Sequence, residues 1–211
     1  MKRIKNVLIF FLAMVMLGAC RDKKSEKKEE ENIQQENTFV NPLKTEGAQC
    51  WANYYDGWYY YMQEAVDRLE LWRTRDITDL EHAEHKVIWI PKDPSNAHHL
   101  WGPEIHPIAG KWYVYYAASD DNMDNHQLFV LENSSADPFE GEFELKGRIS
   151  TDKNNNWAIH PNVFEHRGEW YYIWAEKTGV GRQISNLYIG KMAAANKLCT
   201  DQMRSYQFAY L

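Results

Sequence analysis

Apolar residues along this chain recur in short alternating runs, each entered through a glycine turn. Trp58-Tyr59-Tyr60-Tyr61 follows Asp56-Gly57. Trp112-Tyr113-Val114-Tyr115-Tyr116 follows Gly110-Lys111, and Trp170-Tyr171-Tyr172-Ile173-Trp174 follows Gly168-Glu169. Aromatic and β-branched runs of this length predict strands. Trp58 and Trp112 are 54 residues apart, and Trp112 and Trp170 are 58 apart. Downstream strands at Leu71–Thr74, Gln127–Leu131 and Asn186–Ile189 keep the same step: Leu71 to Leu128 is 57 residues, and Leu128 to Leu187 is 59. Upstream strands are expected at Ala48–Ala52, Trp101–His106 and Ala158–Phe164. The predicted unit is inner strand, turn, aromatic strand, loop and third strand. No amphipathic helix of four turns is expected, so the fold class is all-β. A strand-built repeat near this length predicts propeller blades.

The first forty residues break the pattern. Lys2, Arg3 and Lys5 precede an apolar run, Val7–Leu17, that is too short to span a bilayer as a mature helix. It ends in Leu17-Gly18-Ala19-Cys20, the ending of a bacterial lipoprotein signal. Residues 1–20 are therefore read as signal peptide, with Cys20 lipidated as the mature N-terminus. Residues 21–40 are read as a charged tether, because RDKKSEKKEEEN offers no apolar anchor. The expected location is a bacterial membrane-anchored lipoprotein facing the periplasm or the cell surface. The globular domain is read as residues 41–211.

Charge narrows the partners. The chain carries a net charge of -6. The signal contributes three positive charges and the tether none, so residues 33–211 carry -9. An acidic domain does not suit a polyanion, and nucleic acid is not expected as a partner. Cys50 and Cys199 lack zinc spacing and form no disulfide framework, so both are read as lone thiols.

In a propeller the inner strands converge on the axis. A polar residue near the start of each predicted inner strand stands out: Gln49, Glu104 and His160, which lie 9, 8 and 10 residues before Trp58, Trp112 and Trp170. They are expected to form one layer at one mouth of the channel. Trp51, Trp101 and Trp157 stand beside them and offer indole faces for sugar stacking or for core packing. Adjacent His98 and His99 point to opposite sides of an extended chain, which does not suit a two-histidine metal site. Asn125 and His126 follow a polar loop and are expected in an exposed turn.

Several of these segments occur together in one known family. Trp101-Gly102-Pro103-Glu104-Ile105-His106-Pro107-Ile108, followed by Gly110-Lys111-Trp112-Tyr113, resembles the central motif of glycoside hydrolase family 43. So do Trp157-Ala158-Ile159-His160, Val163-Phe164-Glu165-His166, Asn125–Leu131 and Asn186–Ile189. The resemblance covers roughly Asn41–Asn196. It implies a five-bladed propeller of the arabinofuranosidase or β-xylosidase type, and inverting hydrolysis of arabinose- or xylose-containing polysaccharides of plant type. Inversion uses one carboxylic acid on the leaving oxygen and a second carboxylate to activate water. By position Glu104 matches the family's general acid, Gln49 its base aspartate and His160 the aspartate that tunes the acid. Gln49 cannot take water's proton but can hold a water. His160 can accept a proton near neutral pH, yet as a cation it would lower the acid's pKa.

Roles stay open at each residue. Glu104 fits a catalytic acid, a sugar-hydroxyl acceptor or a structural carboxylate. Gln49 fits water or sugar binding, or a plain structural amide. His160 fits a site residue or a satisfied core histidine. Trp51, His99 and Trp101 are candidate substrate contacts. No cofactor and no metal ligand set is identifiable, although the resemblance allows a metal ion in the central channel.

Length sets the last expectation. Residues 41–211 accommodate about three repeats, and a ring needs at least four blades. Met203–Leu211 resembles nothing in the pattern, as a frameshift or early stop near Asp201-Gln202 would leave it. Three functions compete: a glycosidase with altered machinery, a carbohydrate-binding lipoprotein that does not cleave, and a propeller interaction scaffold, which little in the sequence favours.

Overall fold

The computed structural model describes residues 39–151, 157–177 and 185–199, with backbone alone for 204–206. Residues 1–38, where Cys20 and most of the tether fall, lie outside the described residues, as does the Asp201-Gln202 junction. Three antiparallel sheets follow one another along the chain. The first runs β1 (Trp51–Tyr55), β2 (Trp58–Met62), β3 (Leu69–Thr74) and β4 (Glu84–Trp89). The second runs β5 (His98–Ile108), β6 (Lys111–Ser119), β7 (Gln127–Asn133) and β8 (Glu144–Arg148). The third runs β9 (Ala158–His166), β10 (Glu169–Lys177), β11 (Ser185–Ala194) and β12 (Lys197–Leu198), with β13 (Arg204–Tyr206) also paired to β11. Three sequential four-stranded sheets are propeller blades, and the described residues contain 3-10 turns but no α-helix.

The inner hairpins are built alike. Tyr55 pairs with Trp58, Ile108 with Lys111 and His166 with Glu169. Both loop residues have positive φ in each case: Asp56 and Gly57, Ala109 and Gly110, Arg167 and Gly168. These are two-residue turns of the I′ kind, whose twist matches the flanking strands.

Each blade carries a fourth strand that the sequence did not reveal. β4 and β8 are largely exposed edge strands, β4 burying only Ile88 and β8 burying none of its residues, so they leave no apolar run to read. β1 starts three residues later than expected, and β5 starts three residues earlier. The 3-10 turn Pro94–Asn96 interrupts the polar loop before β5.

β6 explains the packing. It is buried at every residue but its first, because the second blade lies between the other two. Trp112, Val114, Tyr116 and Ala118 face one core with Tyr60, Met62, Leu69 and Leu71. Tyr113, Tyr115 and Ala117 face the other with Val163, Tyr172 and Trp174. A strand buried on both faces reads as a continuous apolar run. In β10, by contrast, Tyr172 and Trp174 are buried while Tyr171 and Ile173 are half-buried on the opposite face.

Candidate functional site

The inner strands β1, β5 and β9 set the site through a shared backbone feature. Gln49, Gly102 and His160 all adopt positive φ, at 46°, 53° and 54°. Each lies eight positions before the glycine of its turn (49 and 57, 102 and 110, 160 and 168). A Cβ placed on Gly102 would stand 3.3 Å from Gln49 Oε1 and 3.7 Å from His160 Nδ1. The three positions therefore converge, and the middle one is glycine.

This corrects the expected layer. Glu104 lies six positions before Gly110, as Trp51 does before Gly57 and Asn162 before Gly168. Glu104, Trp51 and Asn162 thus form the next layer along the strands. Measuring from the tryptophans hid the offset, because β2 begins on Trp58 directly after its turn whereas β6 and β10 each place one residue before the tryptophan.

Glu104 is clasped within that layer. Asn162 Nδ2 donates to its Oε2 at 3.0 Å and Oε1 at 3.2 Å, and His106 Nε2 lies 3.1 Å from Oε2. Its side chain is 15% exposed. Burial pushes the carboxyl above its ordinary value, and it outweighs the lowering by His106, Asn162 and the nearby His160. Trp51 lies against His106, ring centroids 5.2 Å apart, with its indole nitrogen buried. Asn162 and His106 were not singled out in the sequence. His106 stands inside the Trp101–Ile108 motif and Asn162 inside the expected strand Ala158–Phe164, and equal spacing from the turn glycines is the signal that finds Asn162.

The other predicted contacts form a second group beside the layer. His99 Nδ1 lies 2.9 Å from Ser119 Oγ. Trp101 stacks on His126, centroids 4.0 Å apart and 22° between planes. His126 is fully buried rather than in an exposed turn. Its Nδ1 lies 2.8 Å from the Met123 carbonyl and its Nε2 3.2 Å from the His99 carbonyl, and burial lowers its pKa. Asn125 is exposed and holds Asp120. Trp157 Nε1 donates to the Met123 carbonyl, and Lys177 Nζ lies 4.0 Å over its ring. Cys50 and Cys199 are both free thiols. No group of three or more His, Cys, Asp or Glu side chains with metal-binding geometry occurs among the described residues.

The arrangement is a polar mouth with one buried, raised carboxyl behind it and aromatic rings to one side. Known proteins are similar to this chain in sequence and in fold. The extracellular exo-α-(1→5)-L-arabinofuranosidase of Streptomyces chartreusis is 35% identical over 171 residues, covering 79% of this chain and 52% of its own length. The crystal structure of an α-L-arabinofuranosidase from Lactobacillus brevis matches with a TM-score of 0.73 and 30% identity, over 79% of this chain and 55% of that one. The α-L-arabinanase of Cellvibrio cellulosa, solved with arabinohexaose, shares the fold at TM-score 0.57 and 16% identity, over 79% of this chain and 54% of that one. The chain spans about half the length of these relatives. The profile of the glycosyl hydrolases family 43 matches residues 24–208. Blade order, motif order and this match agree, and the chain belongs to glycoside hydrolase family 43.

Proposed function

We propose that this chain carries the sugar-recognising part of a hydrolase of O-glycosidic bonds in arabinose-containing glycans, of the arabinofuranosidase type. The observation that carries this reading is the convergence of Gln49, Gly102 and His160 at one mouth, with Glu104 one layer behind. Support for the sugar comes from relatives named as arabinofuranosidases. Xylose-containing substrates are the nearest alternative, since a family 43 β-xylosidase/α-arabinofuranosidase solved with xylotriose shares the fold.

Roles follow from chemistry. A proton donor working near neutrality needs a raised pKa, and the direction at Glu104 agrees. Against that role stand its deeper layer and its clasp by Asn162 and His106. Gln49 favours a second reading, a glycan-binding domain that does not cleave, because an amide cannot act as base. The N-terminus is read as a lipoprotein signal ending at Cys20, which would anchor the domain to a bacterial membrane on its periplasmic or outer side.

Chromogenic arabinofuranosides and xylosides, given to the natural chain, Gln49→Asp and Glu104→Gln, test the choice. Turnover that disappears in Glu104→Gln supports the hydrolase and removes the binding-only reading. Absent turnover in all three, with measurable affinity for arabino-oligosaccharide, removes the hydrolase. Absence of both removes the sugar.

A further inference from the structure

The two blade interfaces are built from equivalent positions but are not equally filled. Trp112 lies two residues after the turn glycine of its blade, and Trp170 lies two after that of the next. Each packs toward the preceding blade. At the first interface Trp112 is buried. Tyr55, two residues before Gly57, sets its ring edge-on to Trp112 at 5.1 Å, and Tyr60 lies at 4.9 Å. The Trp112 indole N–H donates to the Ala136 carbonyl at 3.0 Å. At the second interface the position of Tyr55 is held by Ile108, two residues before Gly110. Ala195 is the counterpart of Ala136: it lies four residues past Lys191, the partner of Tyr171, as Ala136 lies four past Glu132, the partner of Tyr113. Its carbonyl is taken by Tyr115 OH at 2.7 Å. Trp170 is only half-buried, and it makes no ring, cation or hydrogen-bond contact among the described residues.

Where a ring fills the first interface, the second has a cavity. Its volume is about 270 Å³, and Ile108, Tyr113, Trp170, Met192 and Ala195 wall it. Ala109, Gly168 and Glu169 also line it and are exposed, so it opens at the turns. The strands leave room for it. The β10–β11 ladder ends at Tyr171 and Lys191, whereas the β6–β7 ladder runs one pair further, to Trp112 and Asn133. The walls are mostly apolar, and the polar tips are engaged. Tyr113 OH donates to Glu132 Oε2 at 2.7 Å, and Lys191 Nζ holds Glu169 Oε2 at 2.9 Å. Sugar hydroxyls would lose water there without replacement partners. A planar apolar ring would not, and roughly 150 Å³ of apolar cavity already suffices for benzene.

We propose that this cavity is a binding site for a single neutral aromatic ring, a phenol by preference, seated against Trp170 as Tyr55 sits against Trp112. The edge-to-face pair is the arrangement that the first interface already shows and that aromatic rings favour. Met192 adds a thioether to the wall, a soft partner for a ring edge. A phenol suits the site because its hydroxyl keeps water at the open end while its ring leaves water. The site is separate from the mouth. Eight residues lie between Gly102 at the mouth and Gly110 at the turn, which is about 26 Å of extended chain. The cavity is walled by the second and third blades alone, and it is independent of the sugar reading of the mouth.

The probe is p-cresol, the tyrosine side chain as a free molecule. Proton–nitrogen correlation spectra of the full chain, with Trp170→Phe for assignment, follow the Trp170 indole N–H during a titration. A saturable shift centred on that signal is expected, with nuclear Overhauser contacts from the cresol ring to the methyls of Ile108 and Met192. Ile108→Tyr places a ring in the cavity, so saturable binding is expected to be lost. Arabinose is expected to leave the indole signal unmoved. The inference is overturned by the absence of a saturable shift with p-cresol, by shifts centred on the mouth, by unimpaired binding to Ile108→Tyr, or by a response to arabinose in place of cresol. Should Ile108→Tyr fail to fold by circular dichroism, the contacts to Ile108 and Met192 in the natural chain decide alone.

Discussion

Replacing Gln49 by glutamate probes the Gln49–Glu64 contact without changing side-chain length. The donor that sits 2.7 Å from Glu64 Oε2 becomes a second carboxyl oxygen. With charge centres roughly 4 Å apart, repulsion costs about 1 kcal/mol in water and about 4 kcal/mol at the effective dielectric of a protein surface. Both residues are half-buried, so the screened cost is taken as about 2 kcal/mol. At low pH the pair shares one proton and that cost vanishes. The folded pair then binds a proton more tightly than the unfolded chain does. Stability present in acid is accordingly lost as pH rises through the carboxylate range, and levels off above it. Urea unfolding at pH 4 and pH 8, followed by tryptophan fluorescence, measures the difference. Gln49→Glu is expected to match the natural chain at pH 4 and to be about 2 kcal/mol weaker at pH 8. The double variant Gln49→Glu with Glu64→Gln restores a donor–acceptor pair and recovers most of that loss. Equal losses at both pH values, or no recovery in the double variant, would refute the contact.

Three further outcomes are expected. Glu104→Gln removes a carboxyl whose folded pKa is raised by burial; the natural chain loses stability as pH rises through that value, so thermal melts from pH 4 to pH 8 should show the variant gaining on it steadily. Tyr115 OH donates to the Ala195 carbonyl at 2.7 Å, whereas Tyr172 OH is buried with no partner among the described residues; Tyr115→Phe should cost about 1–2 kcal/mol and Tyr172→Phe about zero or a slight gain in denaturant unfolding. His126 has a lowered pKa from burial, so its contribution is present above the ordinary histidine value and lost as pH falls through the depressed one; His126→Gln should show a flatter stability profile between pH 7 and pH 5, and an unchanged slope would place the charge elsewhere.

Much of the architecture was legible because it repeats. The aromatic strands and turn glycines recur at a blade's length, and two-residue turns fix the register around Asp56-Gly57, Ala109-Gly110 and Arg167-Gly168. β4 and β8 were not legible, since an edge strand that buries at most one side chain leaves no apolar run. At the site, Gln49 and His160 were found from motif position, and the structure sets them against a shared neighbour. Gly102 was missed because glycine has no side chain to suggest chemistry. Glu64 was missed because its approach to Gln49 spans fifteen residues and depends on how β2 hands over to β3. His126 was misread because loop polarity hid a ring that packs under Trp101.

The double burial of β6 has a consequence for how the molecule comes apart. Blades stacked in a row behave as a nearly one-dimensional array, in which each unit is held by its own bonds and by its immediate neighbours. The second blade receives two such neighbour terms, through Trp112, Val114 and Tyr116 on one face and Tyr113, Tyr115 and Ala117 on the other. Amide exchange should therefore be slowest along β6 and β7 and faster in β10 and β11, where Tyr171, Ile173 and Leu187 remain partly open to water. Among the three described blades, the middle one is therefore expected to open last.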